Sequence, residues 1–158
     1  MEKDILRNKN GVALVIALII LLLLTFIGIS AISTTTFETN ITGNERVGTD
    51  AFYASEAIFQ VGLKQLDDPD PTIKTKPIDF REQTGRRIGE NSYGWSGGPQ
   101  DKDSPKGFTS FGSYPKAGYD SSWAFNRYKI NATGESFGAM KEVEAQVSYG
   151  PFPAGTQY

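Results

Sequence analysis

The chain has 158 residues, 16 Lys+Arg against 18 Asp+Glu for a net charge of -2, and neither His nor Cys. That length holds one domain, and the missing imidazole and thiol exclude a His general base, a Cys nucleophile, a His or Cys zinc site and a disulfide framework. A faintly acidic chain without a run of Lys or Arg offers no footprint for DNA or RNA.

The chain opens with a short polar leader, MEKDILRNKNG, in which Lys3, Arg7 and Lys9 outnumber Glu2 and Asp4. Residues 12–32, VALVIALIILLLLTFIGISAI, then carry no charge, and the hydroxyls of Thr25 and Ser30 are their only polar side-chain groups. At about 1.5 Å per residue this run makes roughly 30 Å of helix, the hydrocarbon thickness of a bilayer. It is apolar on every side, so it does not suit the one-sided helix of a small soluble domain. The hydroxyls can bond to carbonyls one turn back, and Gly28 can admit a neighbouring helix. A secretory signal has a shorter apolar region followed by a small-residue cleavage site, whereas helical character continues here. The basic leader stays cytoplasmic by the positive-inside tendency, which sends the rest of the chain outward across the membrane.

Residues 33–66 are polar but contain no Pro. Val47, Ala51, Ala54, Ile58 and Val61 recur at steps of four and three, which sets them on one helix face for packing against a sheet; Phe52, Phe59, Leu63 and Leu66 widen it. Thr34, Thr35 and Thr36, and the stretch 39–44, have weak helix propensity and predict softening or a bend. Asp67-Asp68-Pro69-Asp70-Pro71 ends the helix, because neither Pro continues it.

The basic leader ending in Gly11, the apolar helix from Val12 and the segment TTTFETNITGNERVGTDAFYASEAIFQVGLKQL together resemble the N-terminal region of PilX-type minor pilins of type IV pilus systems. The resemblance covers residues 10–66 and, weakly, the chain's last stretch. It implies cleavage between Gly11 and Val12 by a prepilin peptidase and methylation of the new amino group. It also implies entry of the helix, through residues such as Val12, Ala13, Leu14, Val15, Ile16, Leu24, Phe26 and Gly28, into a pilus bundle. One position departs: most pilins carry Glu where this chain has Ile16. That Glu is thought to pair with a neighbour's amino group, a pairing strengthened in a low-dielectric bundle. Its lack is normal for PilX-like pilins and for the K-type pseudopilin of type II secretion, both associated with the tip.

Residues 72–119 are rich in turn formers, with short strands expected at 72–78 and 107–114. Spaced aromatics from Phe80 to Tyr119 are expected to clip loops onto a sheet, with an outward-facing binding surface as the alternative. Residues 122–131 and 142–149 alternate apolar and polar, with a turn expected at 132–136, and read as an antiparallel hairpin with one wet face. Its dry face, Val143, Ala145, Val147 and Tyr149, suits the helix stripe. The tail, 151–158, reads as an extended strap.

The expected fold is therefore α+β: a long N-terminal spine helix packed on a small antiparallel sheet with Gly/Pro-rich loops, the pilin plan. The expected division is a leader at 1–11, a helix at 12–66 with an amphipathic half from 33, and an outer sheet domain at 67–158. The sequons at Asn40 and Asn131 are weak signals. The loop carboxylates Asp67, Asp68, Asp70, Asp101 and Asp103 lack the order of a Ca²⁺ loop and read as solvated charge. No cofactor and no catalytic pair is nominated. The functional expectation is a minor pilin. It is held in the bacterial inner membrane, then built into the extracellular pilus with other pilins, and possesses surfaces for a tip adhesin. A type II secretion pseudopilin and an uncleaved envelope binding module on a membrane anchor are the alternatives.

Overall fold

The computed structural model describes residues 9–81 and 91–155. Most of the leader, residues 1–8, lies outside them, as do the turn formers Gly85 and Gly89 and the end of the tail, 156–158. By internal packing the chain divides into two units, Met1–Asn44 and Glu45–Tyr158.

Helix α1 runs over Lys9–Leu66 without interruption. The expected bend in the Thr-rich stretch does not break it. Hydroxyls of Thr34, Thr35, Thr36 and Thr39 donate to carbonyls four residues back at 2.8–3.0 Å, so they bond within the helix instead of competing with it. The helix stops at Leu66, where Lys74 Nζ donates to the Leu66 carbonyl at 2.7 Å and satisfies one of the last orphan acceptors. Lys74 also sits 4.4 Å over the Tyr149 ring, which gives its buried ammonium a second favourable contact.

Where a strand was expected at 72–78, the chain forms the short helix α2, Pro71–Lys74. Asp70 caps it, accepting from the Thr72 amide at 2.9 Å, and Pro71 sits in the first turn where no amide donor is needed. The loop carboxylates are thereby used as caps: Asp68 Oδ1 accepts from the Asp70 amide. Extended pairing begins only past Pro77. Ile78 and Ser96 bond through Ser96 N to Ile78 O at 2.8 Å, and Phe80 N donates to Gly94 O at 3.0 Å.

The sheet has four antiparallel strands: β1, Ser92–Ser96; β2, Thr109–Tyr114; β3, Trp123–Ser136; and β4, Ala139–Pro153. Strand β4 pairs with β3 along its whole length, from Ser136↔Ala139 to Trp123↔Pro153. A strand has only two edges, so β1 and β2 lie end to end on the other edge of β3, β1 against 132–136 and β2 against 125–129. The hairpin turn is Phe137-Gly138, both at positive φ, and not 132–136 as expected. Residues 132–136 remain extended because β1 pairs with them; the β3 extension and β1 together cover the helix. The tail differs similarly, its first residues continuing β4.

The core of the outer unit gathers Ile58 and Leu66 of α1 with Ile78, Phe80, Phe108, Tyr128, Ile130 and Ala132, and half-buried Phe59, Leu63, Val147 and Tyr149 pack around it. The dry face of the hairpin is thus the one expected. The result is α+β, a long N-terminal helix packed on a small antiparallel sheet.

Candidate assembly surfaces

In the first unit every large apolar side chain from Val12 to Ile32 is open, from 52% exposed at Ile16 to 69% at Ile32. Val12, Leu14, Val15, Leu24 and Phe26 all belong to this set, and small Ala13 is exposed beside them. Burying one such large side chain is worth about 1.5–3 kcal/mol, so a run of them is not stable facing water. Little polarity is left on the surface: Thr25 Oγ1 donates to Leu21 O at 2.8 Å, and Ser30 carries the only other hydroxyl of the run. A Cβ at Gly28 would meet nothing within 4 Å, so the backbone is open to close approach. At Ile16 the surface has no carboxylate to pair with an amino group. Gly11 and Val12, the expected processing pair, lie just inside the start of α1. This helix has the length and composition to cross a membrane.

In the second unit the helix meets the sheet through small residues. Gly94 and Gly134 are direct cross-strand partners facing α1. A Cβ on Gly134 would stand 2.1 Å from Ala51 O and 2.3 Å from Ser55 N, and one on Gly94 would stand 2.7 Å from an Ile58 side-chain carbon. Ala51, Ala54 and Ile58 are fully buried in this joint, while Val47 is half-buried at its margin. Val61 differs from the expected stripe: it is 36% exposed, and Gly62 takes the packed position, with the Phe108 ring over it. At 100° per residue, 51, 55, 58 and 62 lie closer to one line than 61 does. The glycine gives a large aromatic room that a valine there would fill.

The opposite face of β1 and β3 is covered by the loop containing the 3-10 turn Pro99–Asp101. Thr133 Oγ1 donates to Gly97 O at 2.7 Å, and the buried Trp95 Nε1 donates to Gly98 O at 3.0 Å. Lys102 pairs with Glu135 at 2.5 Å and lies 5.5 Å from the centre of the Tyr93 ring. Hydrogen bonding to Glu135, then to Tyr93, holds the Lys102 ammonium above its ordinary range. Asp101 accepts from Lys106 at 2.7 Å and from the Gly98 amide at 2.9 Å. These bonds, the Lys106 one foremost, hold its carboxyl below the usual carboxylate range. Asp79 is also lowered, chiefly by its hydrogen bonds from Arg81.

This clasp was not foreseen from the sequence, where Gly97-Gly98-Pro99 signalled only a turn. Its one legible hint is an acid followed five residues later by Lys106. The aromatics divide between the two expected roles. Phe80, Trp95, Phe108, Phe125 and Tyr128 are buried anchors, whereas Phe111, Tyr119, Trp123 and Phe137 are exposed. In the sequon at Asn131 both polar side chains are engaged, Asn131 Nδ2 donating to Glu142 at 2.7 Å and Thr133 to Gly97. Among the described residues no group of three potential metal ligands comes together.

Residues 10–59 match the family model described as PilX N-terminal. The matched stretch takes in the apolar helix surface and the first turns of the helix–sheet joint, and over it the chain is similar to the N-terminal region of PilX-type pilins. No curated protein and no solved structure matches the chain.

Proposed function

We propose that the chain is a structural minor pilin, cut between Gly11 and Val12 by a prepilin peptidase, methylated on Val12 and incorporated at or near the tip of a type IV pilus, whose assembly it promotes. The observation that carries this reading is the wholly exposed apolar helix surface at 12–32 lying inside a stretch that matches the PilX N-terminal family.

The mechanism is transfer between two apolar surroundings. While the chain is stored in the inner membrane, lipid covers residues 12–32. On extraction into the pilus the same side chains are covered by neighbouring pilin helices, so dispersion contacts and release of lipid replace lipid packing. No charge on that surface has to be desolvated a second time, and the Thr25 hydroxyl stays bonded within the helix. Ile16 supports a tip position: a subunit without a carboxylate there forms no ion pair with the amino group of a following subunit. Placed at the tip, the outer unit is free to contact other minor pilins or an adhesin.

The apolar helix equally fits a type II secretion pseudopilin, but K-type pseudopilins carry a large inserted domain, and here the sheet region is a single four-stranded sheet. An uncleaved anchored binding module is separated by processing. Gly11→Val is expected to leave a full-length, membrane-held precursor that is absent from sheared pili. Normal pili containing a processed Gly11→Val chain would contradict the proposal.

A further inference from the structure

Strand β4 is an edge. Among the described residues only β3 pairs with it, and their register is continuous from Ala139 to Tyr149. The loop Phe137-Gly138 has both residues at positive φ, 46° and 85°, which is the two-residue hairpin form in which the Ala139 amide closes onto Ser136. Amide and carbonyl groups alternate inward and outward along an antiparallel strand, so Met140, Glu142, Glu144, Gln146 and Ser148 direct theirs away from the sheet. Of the devices that blunt an edge, prolines and a register shift come only after Tyr149, whereas Lys141, Glu142 and Glu144 put charges within the stretch, so the register has to accommodate them.

We propose that this edge pairs antiparallel with the β4 edge of a second copy, about a twofold axis at Ala145. A twofold normal to the sheet keeps each copy's faces aligned, so competing registers differ in steps of two residues. Centred on Ala145, Glu144 opposes Gln146, Val143 opposes Val147, Glu142 opposes Ser148 and Lys141 opposes Tyr149. No like charges stand directly opposite, and the two Glu144 side chains are only diagonal neighbours. Centring on Glu144 sets that carboxylate against its own copy, and centring on Val143 sets Glu142 against Glu144 twice, both repulsive. Centring on Gln146 breaks up the valine pairs and sets Lys141 against Pro151.

The axis falls on a non-hydrogen-bonded pair, where opposite Cα atoms approach to about 4.5 Å and a small side chain fits. On the dry face Val143, Ala145, Val147 and Tyr149 are all only half-buried, and pairing continues that apolar stripe into the second copy. On the wet face Glu142 is already bonded to Asn131 at 2.7 Å and Glu144 to Lys129 at 2.6 Å, which moderates the carboxylates nearest the axis.

The contact differs from helix packing in a pilus. Along α1, Ala51 and Ser55 meet Gly134 while Gly62 meets Ile130, so this part of the helix runs with β4. The twofold therefore sets the two copies' helix stretches antiparallel, unlike side-by-side neighbours in a bundle. The pairing stands or falls independently of the pilin reading.

The chain has no Cys, so Ala145→Cys supplies a unique thiol. In the full chain in detergent micelles, mild oxidation is expected to give a covalent dimer, because the opposed residues lie near the Cα separation of disulfides, about 4.4–6.8 Å. Lys141→Cys, on the same face but opposite Tyr149, is expected to stay monomeric. Adding Gln146→Glu, which opposes Glu144 on both sides of the axis, is expected to cut the Ala145→Cys yield about five- to tenfold, and Gln146→Lys to restore it. Both changes are on the exposed face opposite Lys129 of β3, which within the chain favours the glutamate over the lysine, so a yield that is lower for the glutamate and higher for the lysine reads the contact across the axis. Failure of Ala145→Cys to cross-link, equal cross-linking at 141 and 145, or a yield indifferent to the charge at 146 would each overturn the proposal; the last two would assign dimerisation to the apolar helix.

Discussion

Gly134 is where the two layers of the outer unit come closest, with the backbone of Ala51 and Ser55 occupying the space that a side chain would need. Overpacking a rigid joint costs about 1–3 kcal/mol and more when backbone must move. Gly134→Ala is therefore expected to destabilise by about 3 kcal/mol, read as a lower midpoint in urea unfolding of the full chain in detergent followed by Trp fluorescence. Gly28→Ala, which meets nothing, is expected to leave that midpoint unchanged. Asp101 acts through charge. Its carboxyl is held below the usual carboxylate range in the folded chain, so its contribution is present above that range and is lost as the pH falls through the lowered folded value. Asp101→Asn is expected to lower stability at pH 7 and to flatten part of the loss on acidification. An unchanged acid limb in the variant would remove this role. Gly134 does not stand out in the sequence, since a glycine among many reveals no contact, and Asp101 is legible there only as a loop carboxylate, which reveals no partner.

The elements were more legible where one physical rule acted alone. The apolar run of α1 and the alternation of β4 read directly, because burial on all sides or on one side imprints its own period. The helix stripe read correctly at Ala51, Ala54 and Ile58, which are fully buried, but Val61 and Gly62 exchange roles because a shape requirement, room for Phe108, outranks hydrophobicity. Ile58→Ala is accordingly expected to cost about 2–5 kcal/mol and Val61→Ala under about 0.5 kcal/mol, measured by the same unfolding midpoint. Equal losses would contradict the placement of the stripe. Two of the local differences have separate causes. Asp70-Pro71 is a helix-start signal that outweighs the β-branched residues that follow it, and the Gly- and Ser-containing stretch at 132–136 is extended because its small residues are what a closely packed helix requires.

At the scale of the whole chain, two units place different demands on one helix. The second unit supplies its own core, built around Ile58, Leu66, Tyr128 and Ile130. Among its described residues the first supplies none, and its surface needs lipid or other helices. Composition made that contrast readable, because an uninterrupted apolar run leaves few physical options; the identity of the partners left no such trace, since an apolar surface with two hydroxyls and no charge encodes contact but little selectivity. The central claim, that residues 12–32 pass from lipid into a helix bundle after processing, is tested most directly by the mass of the chain recovered from membrane-free sheared filaments. The account predicts a polypeptide that begins at a methylated Val12 and is enriched in that fraction. A chain that begins at Met1 and remains wholly with the membrane would contradict it.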